Sequence, residues 1–520
     1  MRLNLRDGWW QDHPPDLPED AKPVGYAWMV RQRALDVMPN HRWSFFARTS
    51  KRHAFEFMDL TWEVFPASYA PSSIAGHLEF ALKYDGMNLE ILRAWFETLK
   101  VDEVEELEGW VRDSPTSAYV RRSWFLYELL TGRALNLPDA AAGGYVPVLD
   151  AEAYFVVGDR RSKRHRVVDN LPGGRDFCAL VRKTRALEQF CERHLSARIA
   201  EILGDHDADT LSRVVSYLYT KETRSSFEIE REKPTTDRMK HFVAALRRAH
   251  DWPDLSERDL IELQNLIVAD PRSREHAYRD LQNYVSGLGA REVALVSPRP
   301  DDLGSLMAGW LVMVGRLVQA EVDAVVAAAA ASFSFVYLHP FEDGNGRIHR
   351  FLIHYFLARK RFTPAGGLVP VSAAMLARMK EYDAALERFS VPLLVRLRYE
   401  MDSWGCVEVL HDSSGYYRYP DLTAQAEALY GWVALSIEED VPKELMFMLA
   451  YRAARLRVGE LIELPDRVAD QFVLRVMEQR GRLSKHRRRK DFERLTNDEA
   501  RELEAAVRKA MVEHGMEVVE

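Results

Sequence analysis

The stretch from Ala324 to Leu338 constrains the fold of this chain more than any other, because it contains no charged residue and only two serines. It is shorter than the roughly 20 apolar residues that a membrane-spanning helix requires. Asp323 and His339 flank it directly, which also argues against a membrane span. We therefore expect a helix that is buried in a protein core.

A polar loop and a second helix follow this stretch. Residues 339–350 read H-P-F-E-D-G-N-G-R-I-H-R. Apolar residues then recur at i, i+3, i+4, i+7 and i+8, which is typical of one face of an α-helix. They are Ile348, Phe351, Leu352, Tyr355 and Phe356. Gly344, Asn345 and Gly346 therefore lie where this helix begins, in a tight loop between two buried helices.

The residue types in this loop suit phosphate chemistry. The first turn of a helix has free backbone N–H groups and a partial positive charge, and glycine lets an anion approach them closely. Arg347 and Arg350 share one helix face and can bind further phosphate oxygens. Asp343 is a hard oxygen ligand suited to Mg²⁺, and His339 can act as a general base.

Each of these residues also has a simpler interpretation. The segment D-G-N-G forms good turns, and arginine side chains are usually solvated. The combination of a base, a magnesium ligand and a phosphate cradle within twelve positions is more specific. It favours nucleotide-dependent transfer to a hydroxyl group.

Composition sets the broad class. The chain has 520 residues, 47% hydrophobic and 29% charged, which is ordinary for a soluble globular protein. Its net charge of -8 argues against a surface built for nucleic acid or anionic membranes. Three cysteines without a CxxC pair favour a reducing compartment. Met1–Asp7 lacks the apolar core of a signal peptide, so we expect a cytoplasmic protein.

Pattern changes along the chain predict four consecutive regions. Residues 1–95 are expected to be mostly helical, and residues 96–205 to mix helices with loops. Residues 206–395 contain the longest helical patterns and the polar loop, and residues 396–520 form a separate helical region. The predicted fold class is therefore mainly α.

Residues 339–350 resemble the signature of the Fic family, H-P-F-x-[DE]-G-N-G-R-x-x-R, at every specified position. The resemblance implies a Fic-type helical core that transfers AMP from ATP to a hydroxyl of a target protein. It gives His339 the role of base and Asp343 that of Mg²⁺ ligand. Gly344, Asn345 and Gly346 would form the anion hole, while Arg347 and Arg350 would bind the β- and γ-phosphates.

Two residues of the signature have a more particular implication. Phe341 would be a buried anchor, and Glu342 fills the variable position without an assigned role. A kinase-like branch of the family carries lysine at the position of Gly346. The glycine here therefore favours adenylylation over phosphorylation.

A second resemblance concerns self-inhibition. Fic proteins with an inhibitory helix carry [ST]-x-x-x-E-[GN], and this chain reads S-F-E-I-E-R from Ser226 to Arg231. The resemblance implies that Glu230 pairs with Arg350 and excludes the γ-phosphate from its productive position. Arg231 departs from the family's Gly or Asn. The same glutamate helps to remove AMP in some relatives, so the reverse reaction stays open.

A third resemblance is to the family's flap, a β-hairpin that aligns the target by strand pairing. The segments Gln282–Gly287 and Glu292–Pro298 match it, with Val293, Ala294 and Leu295 as docking residues. A plain surface hairpin is the alternative. Tyr382 resembles the family's tyrosine near the adenine.

The main alternative function is a regulatory or binding protein that uses the Fic fold with little or no catalysis. It would contact nucleic acid through its C-terminal region, where K-H-R-R-R-K occupies residues 485–490. A solvated charged helix is the preferred interpretation of those residues, so nucleic acid is not an expected partner. The expected partners are ATP and an unidentified target protein, with no membrane, and a homodimer is left open.

A zinc site is a further alternative for the histidines of this stretch. His349 and His354 lie five residues apart and share a helix face poorly. A zinc site is therefore not expected, and the expected cofactor is Mg²⁺, which the resemblance assigns to Asp343.

Overall fold

The computed structural model describes residues 14–58, 60–204, 208–252, 254–268, 271–287 and 293–519. Met1–Asp7, on which the expectation about a signal peptide rests, and Glu292 of the predicted flap lie outside these residues. The chain divides into two compact units. Their segments are Met1–Glu192, Ala244–Lys360 and Met379–Tyr430 in the first, and Arg193–Val243, Arg361–Arg378 and Gly431–Glu520 in the second. The four consecutive regions expected from the sequence stay predictions.

The first unit begins with a mixture of strands and helices. They are β1 (Lys22–Val24), α1 (Tyr26–Arg33), β2 (Arg42–Ala47), β3 (His53–Phe57), β4 (Leu60–Pro66), α2 (Ile74–Phe80), α3 (Leu89–Glu97), α4 (Val101–Asp113), α5 (Ala118–Thr131), β5 (Val146–Pro147), β6 (Arg160–Ser162), β7 (Val167–Asp169) and α6 (Arg185–Glu192).

A four-stranded sheet lies within residues 1–95, where the sequence predicts mostly helix. The strand order is β1-β2-β4-β3, with β2 and β4 parallel and the other pairs antiparallel. Aromatic and β-branched residues are frequent in β2 and β4, and Trp43, Phe45, Trp62 and Val64 are buried there. Such side chains favour strands.

The helical core of the first unit follows. Its elements are α10 (Glu257–Val268), β8 (Tyr284–Ser286), β9 (Val293–Val296), α11 (Pro300–Gln319), α12 (Ala324–Leu338), α13 (Asn345–Arg359), α15 (Met379–Arg396), β10 (Tyr399–Met401), β11 (Val407–Val409), α16 (Ser414–Arg418) and α17 (Thr423–Leu435). The predicted mainly α fold with a small β-hairpin is confirmed.

Helix α12 is the buried core helix that the apolar stretch predicts. All fifteen of its residues are buried, and it packs against α13 and α11. Asp323 begins the helix, because its carboxylate accepts hydrogen bonds from the backbone N–H groups of Val325 and Val326 at 2.9 and 3.0 Å. This capping satisfies two N–H groups that have no partner within the helix.

The second unit is helical in its described residues. It contains α7 (Leu195–Gly204), α8 (Ala208–Ile229), most of α9 (Thr236–Arg247), α14 (Val371–Ala377), α18 (Val441–Leu461), α19 (Asp466–Glu478), α20 (Lys485–Asp491) and α21 (Asn497–Glu513). Helices α18, α19 and α21 share one apolar core, with Val458, Phe472 and Val507 at 0% exposure. Throughout the described residues, no helix combines the length and the apolar character that crossing a bilayer requires.

Candidate active site

His339 ends helix α12 with its imidazole in a defined orientation. It adopts a left-handed backbone conformation with φ 50°. Its Nδ1 lies 3.0 Å from the carbonyl oxygen of Val336. A carbonyl only accepts, so Nδ1 carries a proton, and in the neutral form of the imidazole the lone pair is on Nε2. The local backbone therefore sets the tautomer that a general base needs.

Arg279 fixes the start of the loop through hydrogen bonds to its backbone carbonyls. Its Nε donates to the carbonyl oxygen of His339 at 2.8 Å, and its backbone N–H donates to that of Pro340 at 2.9 Å. Its two terminal nitrogens donate to the carbonyls of Leu281 and Pro298 at 2.8 and 2.6 Å. The side chain is buried, and this burial lowers the pKa of Arg279 to about 10. One guanidinium thus joins the loop to both ends of the β8–β9 hairpin.

Asn345 closes the loop on itself through its side chain. Its Oδ1 accepts from the backbone N–H of Phe341 at 3.1 Å, and its Nδ2 donates to the carbonyl oxygen of Phe341 at 2.7 Å. Asn283 donates to the same carbonyl at 3.1 Å. Phe341 is fully buried, as an anchor should be. Because the Asn345 side chain is used in this way, only its backbone N–H can serve an anion.

Position 344 requires glycine for two reasons, its positive φ angle and the lack of room for a side chain. It begins helix α13 with φ 89°, a region that L-residues rarely adopt. A Cβ at this position would lie 2.8 Å from Cγ2 of Val268. Helix α10 thus approaches the loop so closely that only glycine fits.

Asp343 presents a half-exposed carboxylate beside the helix terminus. Its Oδ1 accepts from Nη2 of Arg347 at 2.7 Å and also from the backbone N–H of Gly344. Both contacts fall on one oxygen, and Oδ2 makes none with the described residues. Burial, followed by the charges of Glu342 and Asp343, raises the pKa of Glu275. Asp343 therefore has one carboxylate oxygen, Oδ2, that makes no hydrogen bond to the described residues.

The remaining predicted residues lie on or beside α13. Arg347 and Arg350 are each 1% exposed, so the protein has removed two guanidinium groups from water next to the loop. His349 packs its ring against Phe333 at 4.7 Å and lies 6.2 Å from the ring of Tyr382. Burial lowers the pKa of His349 to about 3, which keeps this imidazole neutral. The ring of Tyr382 therefore lies beside α13, with His349 as its neighbour on that helix.

The predicted hairpin is present beside the loop. Tyr284 pairs with Val296 and Ser286 with Val293, and the register shift between Val285 and Ser286 leaves Ala294 as an extra residue. Such a bulge bends the strand and interrupts the ladder. Val293 and Leu295 are buried, whereas Ala294 is partly exposed.

Ser226 and Glu230 belong to the second compact unit. Ser226 is fully buried near the end of α8, and Glu230 directly follows its last residue, Ile229. The inhibitory pairing of Glu230 with Arg350 stays a prediction.

Arg231 ends α8 in a geometry that explains the family's preference for Gly or Asn. Its φ is 58°, in the left-handed region. Its N–H donates to the carbonyl of Glu228 at 2.9 Å, and the N–H of Glu232 donates to that of Phe227 at 3.0 Å. These two bonds define a Schellman motif, in which glycine and asparagine are favoured at the position of Arg231.

Replacing Arg231 with glycine is expected to stabilise the second unit by about 1 kcal/mol, because glycine adopts φ > 0 without steric cost. Arg224→Gly is the matched control, since Arg224 is an exposed residue inside the same helix. It should destabilise the unit by about 1 kcal/mol. Urea denaturation of the full chain measures both. Equal destabilisation by the two variants would contradict the assigned role of position 231.

Two residues that hold this site receive no role from the sequence alone. Arg279 lies 60 residues before His339, outside any motif. Asn283 lies 58 residues before Phe341, within the predicted flap segment Gln282–Gly287, and that segment is the signal that could point to it.

Comparisons with known proteins agree with this geometry. The model of the Fic/DOC family matches residues 254–357, which contain α10, the hairpin, α12, the loop and most of α13. The protein adenylyltransferase Fic of Culex quinquefasciatus is 32% identical over 149 residues, covering 28% of this chain and 26% of that protein. The protein of the same name from Aedes aegypti is 31% identical over 146 residues, with the same coverage of 28% and 26%. The chain thus spans about a quarter of the length of these relatives.

A solved structure was also matched. The crystal structure of a Fic family protein from Desulfovibrio desulfuricans G20 covers 53% of this chain and 80% of that chain, with a TM-score of 0.36 and 19% identity.

Fold and site together define a helical domain in which a histidine-bearing loop leads into the N-terminus of a buried helix. Residues 254–357 of the chain are matched as a domain of the Fic/DOC family.

Proposed function

We propose that this chain is a Mg²⁺-dependent protein adenylyltransferase, which transfers AMP from ATP to a hydroxyl side chain of a target protein. The observation that carries the proposal is the orientation of His339, whose Nδ1 lies 3.0 Å from the carbonyl oxygen of Val336 at the start of the loop. The matched insect relatives, which bear the name protein adenylyltransferase, support the same reaction.

In the proposed reaction, Nε2 of His339 takes the proton of the target hydroxyl. The hydroxyl oxygen forms a bond to the α-phosphorus of ATP, and the bond from that phosphorus to the bridging oxygen breaks. Diphosphate leaves, and AMP stays on the target. General-base assistance of this kind contributes about 10²–10⁴-fold to a rate.

The first turn of α13 is the proposed phosphate site. The backbone N–H groups of Asn345 and Gly346 lie at the positive end of a fifteen-residue helix, while that of Gly344 donates to Asp343. Arg347 and Arg350 add two buried positive charges, which act more strongly there than they would in water. These groups would stabilise the charge on the phosphates as diphosphate departs.

Asp343 suits the proposed magnesium ion. Its Oδ1 is used by Arg347 and Gly344, while Oδ2 makes no contact with the described residues. Mg²⁺ is commonly held by one or two carboxylates together with substrate phosphates and water. When bound, the ion would neutralise negative charge on the phosphates.

The hairpin is the proposed docking site for the target. Arg279 and Asn283 tie it to the loop, so a segment paired with its edge would be held at a fixed distance from His339. Main-chain pairing around Val293–Leu295 would position the target segment with little dependence on the sequence of that segment. Tyr382, close to His349 of α13, is the proposed neighbour of the adenine.

Glu230 is the proposed inhibitor, and the support is the sequence resemblance at Ser226–Arg231. Glu230→Gly is expected to raise AMP transfer about tenfold or more, since a charge-assisted hydrogen bond to a phosphate-binding arginine would be lost. Glu228→Gly is the matched control, because it removes the same side chain two residues earlier from the same helix end. Its transfer rate should stay near that of the wild type.

The proposed function is tested with ATP labelled at the α- or the γ-phosphate, in the presence of Mg²⁺, with self-modification as the readout. The α-label should enter protein in Glu230→Gly, enter less in wild type and be lost when His339 is replaced. Transfer of the γ-label alone would make the protein a kinase and overturn the proposal. If neither label is transferred, to this chain or to proteins of a cell extract, adenylylation is excluded.

A further inference from the structure

A basic cavity lies in the N-terminal part of the first unit, away from the loop described above. Its volume is about 370 Å³. Five basic side chains line it, and they are Arg42, Lys83, Arg122, Arg182 and Lys183. Asp150 is the one acidic residue among its described lining residues.

The positive charges of the basic cavity are only partly neutralised. Arg182 pairs with Asp421 at 2.8 Å, and Arg42 lies 3.6 Å from Glu63, a carboxylate that Arg52 also binds. No carboxylate of the described residues forms an ion pair with the other three cations. Three of the five basic side chains thus lack an ion pair within the described residues, and Asp150 is the one carboxylate that lines the cavity with them. This local excess occurs in a chain whose net charge is -8.

Arg122 is held in place before any ligand arrives. Its Nε donates to the carbonyl oxygen of Pro147 at 2.6 Å, and its guanidinium lies 5.6 Å from the ring centre of Tyr119. Tyr119 also lines the cavity, and it is the second residue of α5. The positive end of a fourteen-residue helix therefore adds to the potential of this wall.

The cavity is also lined by a buried, uncharged hydrogen-bond donor, the hydroxyl group of Tyr154. The hydroxyl oxygen of Tyr154 accepts from the backbone N–H of Met87 at 2.7 Å, and its own proton has no acceptor among the described residues. Tyr154 is only 6% exposed. Gly86, with φ 84°, permits this arrangement, since a Cβ there would lie 2.7 Å from the Tyr154 hydroxyl. A buried hydroxyl without an acceptor is costly unless a ligand or water supplies one.

We propose that the basic cavity binds the phosphate groups of a small phosphorylated ligand. Arginine matches phosphate geometry, lysine supplies a compact charge, and the volume lies within the range of small-molecule sites. The proposed adenylyltransferase site shares no lining residue with this cavity, so the inference does not depend on that function.

Calorimetric titration of the full chain with inorganic diphosphate, without Mg²⁺, tests the proposal. The test variant is Arg122→Gln/Lys183→Gln, and the matched control is Arg48→Gln/Lys51→Gln. The control removes the same charge from exposed residues that do not line the cavity. All proteins also carry Arg350→Gln, which removes a phosphate ligand of the proposed active site.

The test variant should bind diphosphate about tenfold or more weakly than the control, because two charge-assisted contacts are removed. Equal affinity of the two, or no binding by the control up to about 1 mM, would overturn the proposal. Circular dichroism checks the fold. If the double variant unfolds, Lys183→Gln alone decides the question, since within the described residues the Lys183 ammonium lies over the ring of Phe155, at 5.7 Å, and forms no ion pair.

Discussion

Replacing His339 with asparagine is expected to lower AMP transfer by about 10²–10⁴-fold while ATP binding is retained. The loss follows because the amide has no nitrogen lone pair that could take the proton of the target hydroxyl. Asparagine is preferable to alanine here, because position 339 has φ 50° and asparagine tolerates this region. Alanine would add a conformational cost of about 1 kcal/mol to the loss of the base.

Rates of α-label incorporation, measured beside the affinity for ATP, separate the loss of a base from the loss of a substrate site. Glu342→Gln is the matched control, since Glu342 is an exposed residue of the same loop and has no assigned role. Its rate should stay within about threefold of wild type, as for a surface change without a mechanism. A His339→Asn protein that transferred AMP as fast as this control would refute the assignment of the base.

The loop and its two helices could be predicted from the sequence because the interactions that form them are local. The apolar residues of α12, the cap at Asp323 and the apolar face that begins at Ile348 lie within one stretch of about thirty residues. The glycine at 344 likewise predicts a turn, and the structure adds the reason why nothing larger fits. A signature whose parts are adjacent in the chain needs no knowledge of the tertiary fold.

The sheet and the support of the loop could not be predicted in the same way. Strands β2 and β4 are parallel neighbours, although β3 lies between them in sequence, so their pairing depends on a contact that periodicity does not encode. Arg279 is an arginine in a segment without a pattern, and its role depends on carbonyls of residues 281, 298 and 339. Side chains of this kind act across the fold, where single-sequence reasoning has no signal.

Arg279→Met is expected to destabilise the protein by about 3–5 kcal/mol. The methionine fills a similar volume, but the carbonyls of His339, Leu281 and Pro298 lose their shared donor. Each buried carbonyl without a partner costs about 1–3 kcal/mol. Arg274→Met is the matched control, because Arg274 is exposed and lies five residues earlier in the same segment. Its effect should stay within about 0.5 kcal/mol. Urea denaturation of the full chain measures both.

Arg279 touches no reacting atom, so it is a positioning residue, and kinetics can distinguish this role from a purely structural one. Its replacement frees the backbone that orients His339, and a displacement of about 1 Å at such a residue lowers kcat by about 10²-fold. KM for ATP should change little, since the hydrogen bonds of Arg279 to the described residues go to residues 281, 298, 339 and 340 and not to α13. Arg279→Lys keeps the charge and can reach one or two of the three carbonyls, so it should recover part of both stability and kcat.

If Arg279→Met lowered stability alone and left kcat intact, the guanidinium would hold the hairpin without orienting the base. If Arg279→Lys recovered nothing, the forked geometry of the guanidinium, rather than its charge, would be what keeps His339 in place.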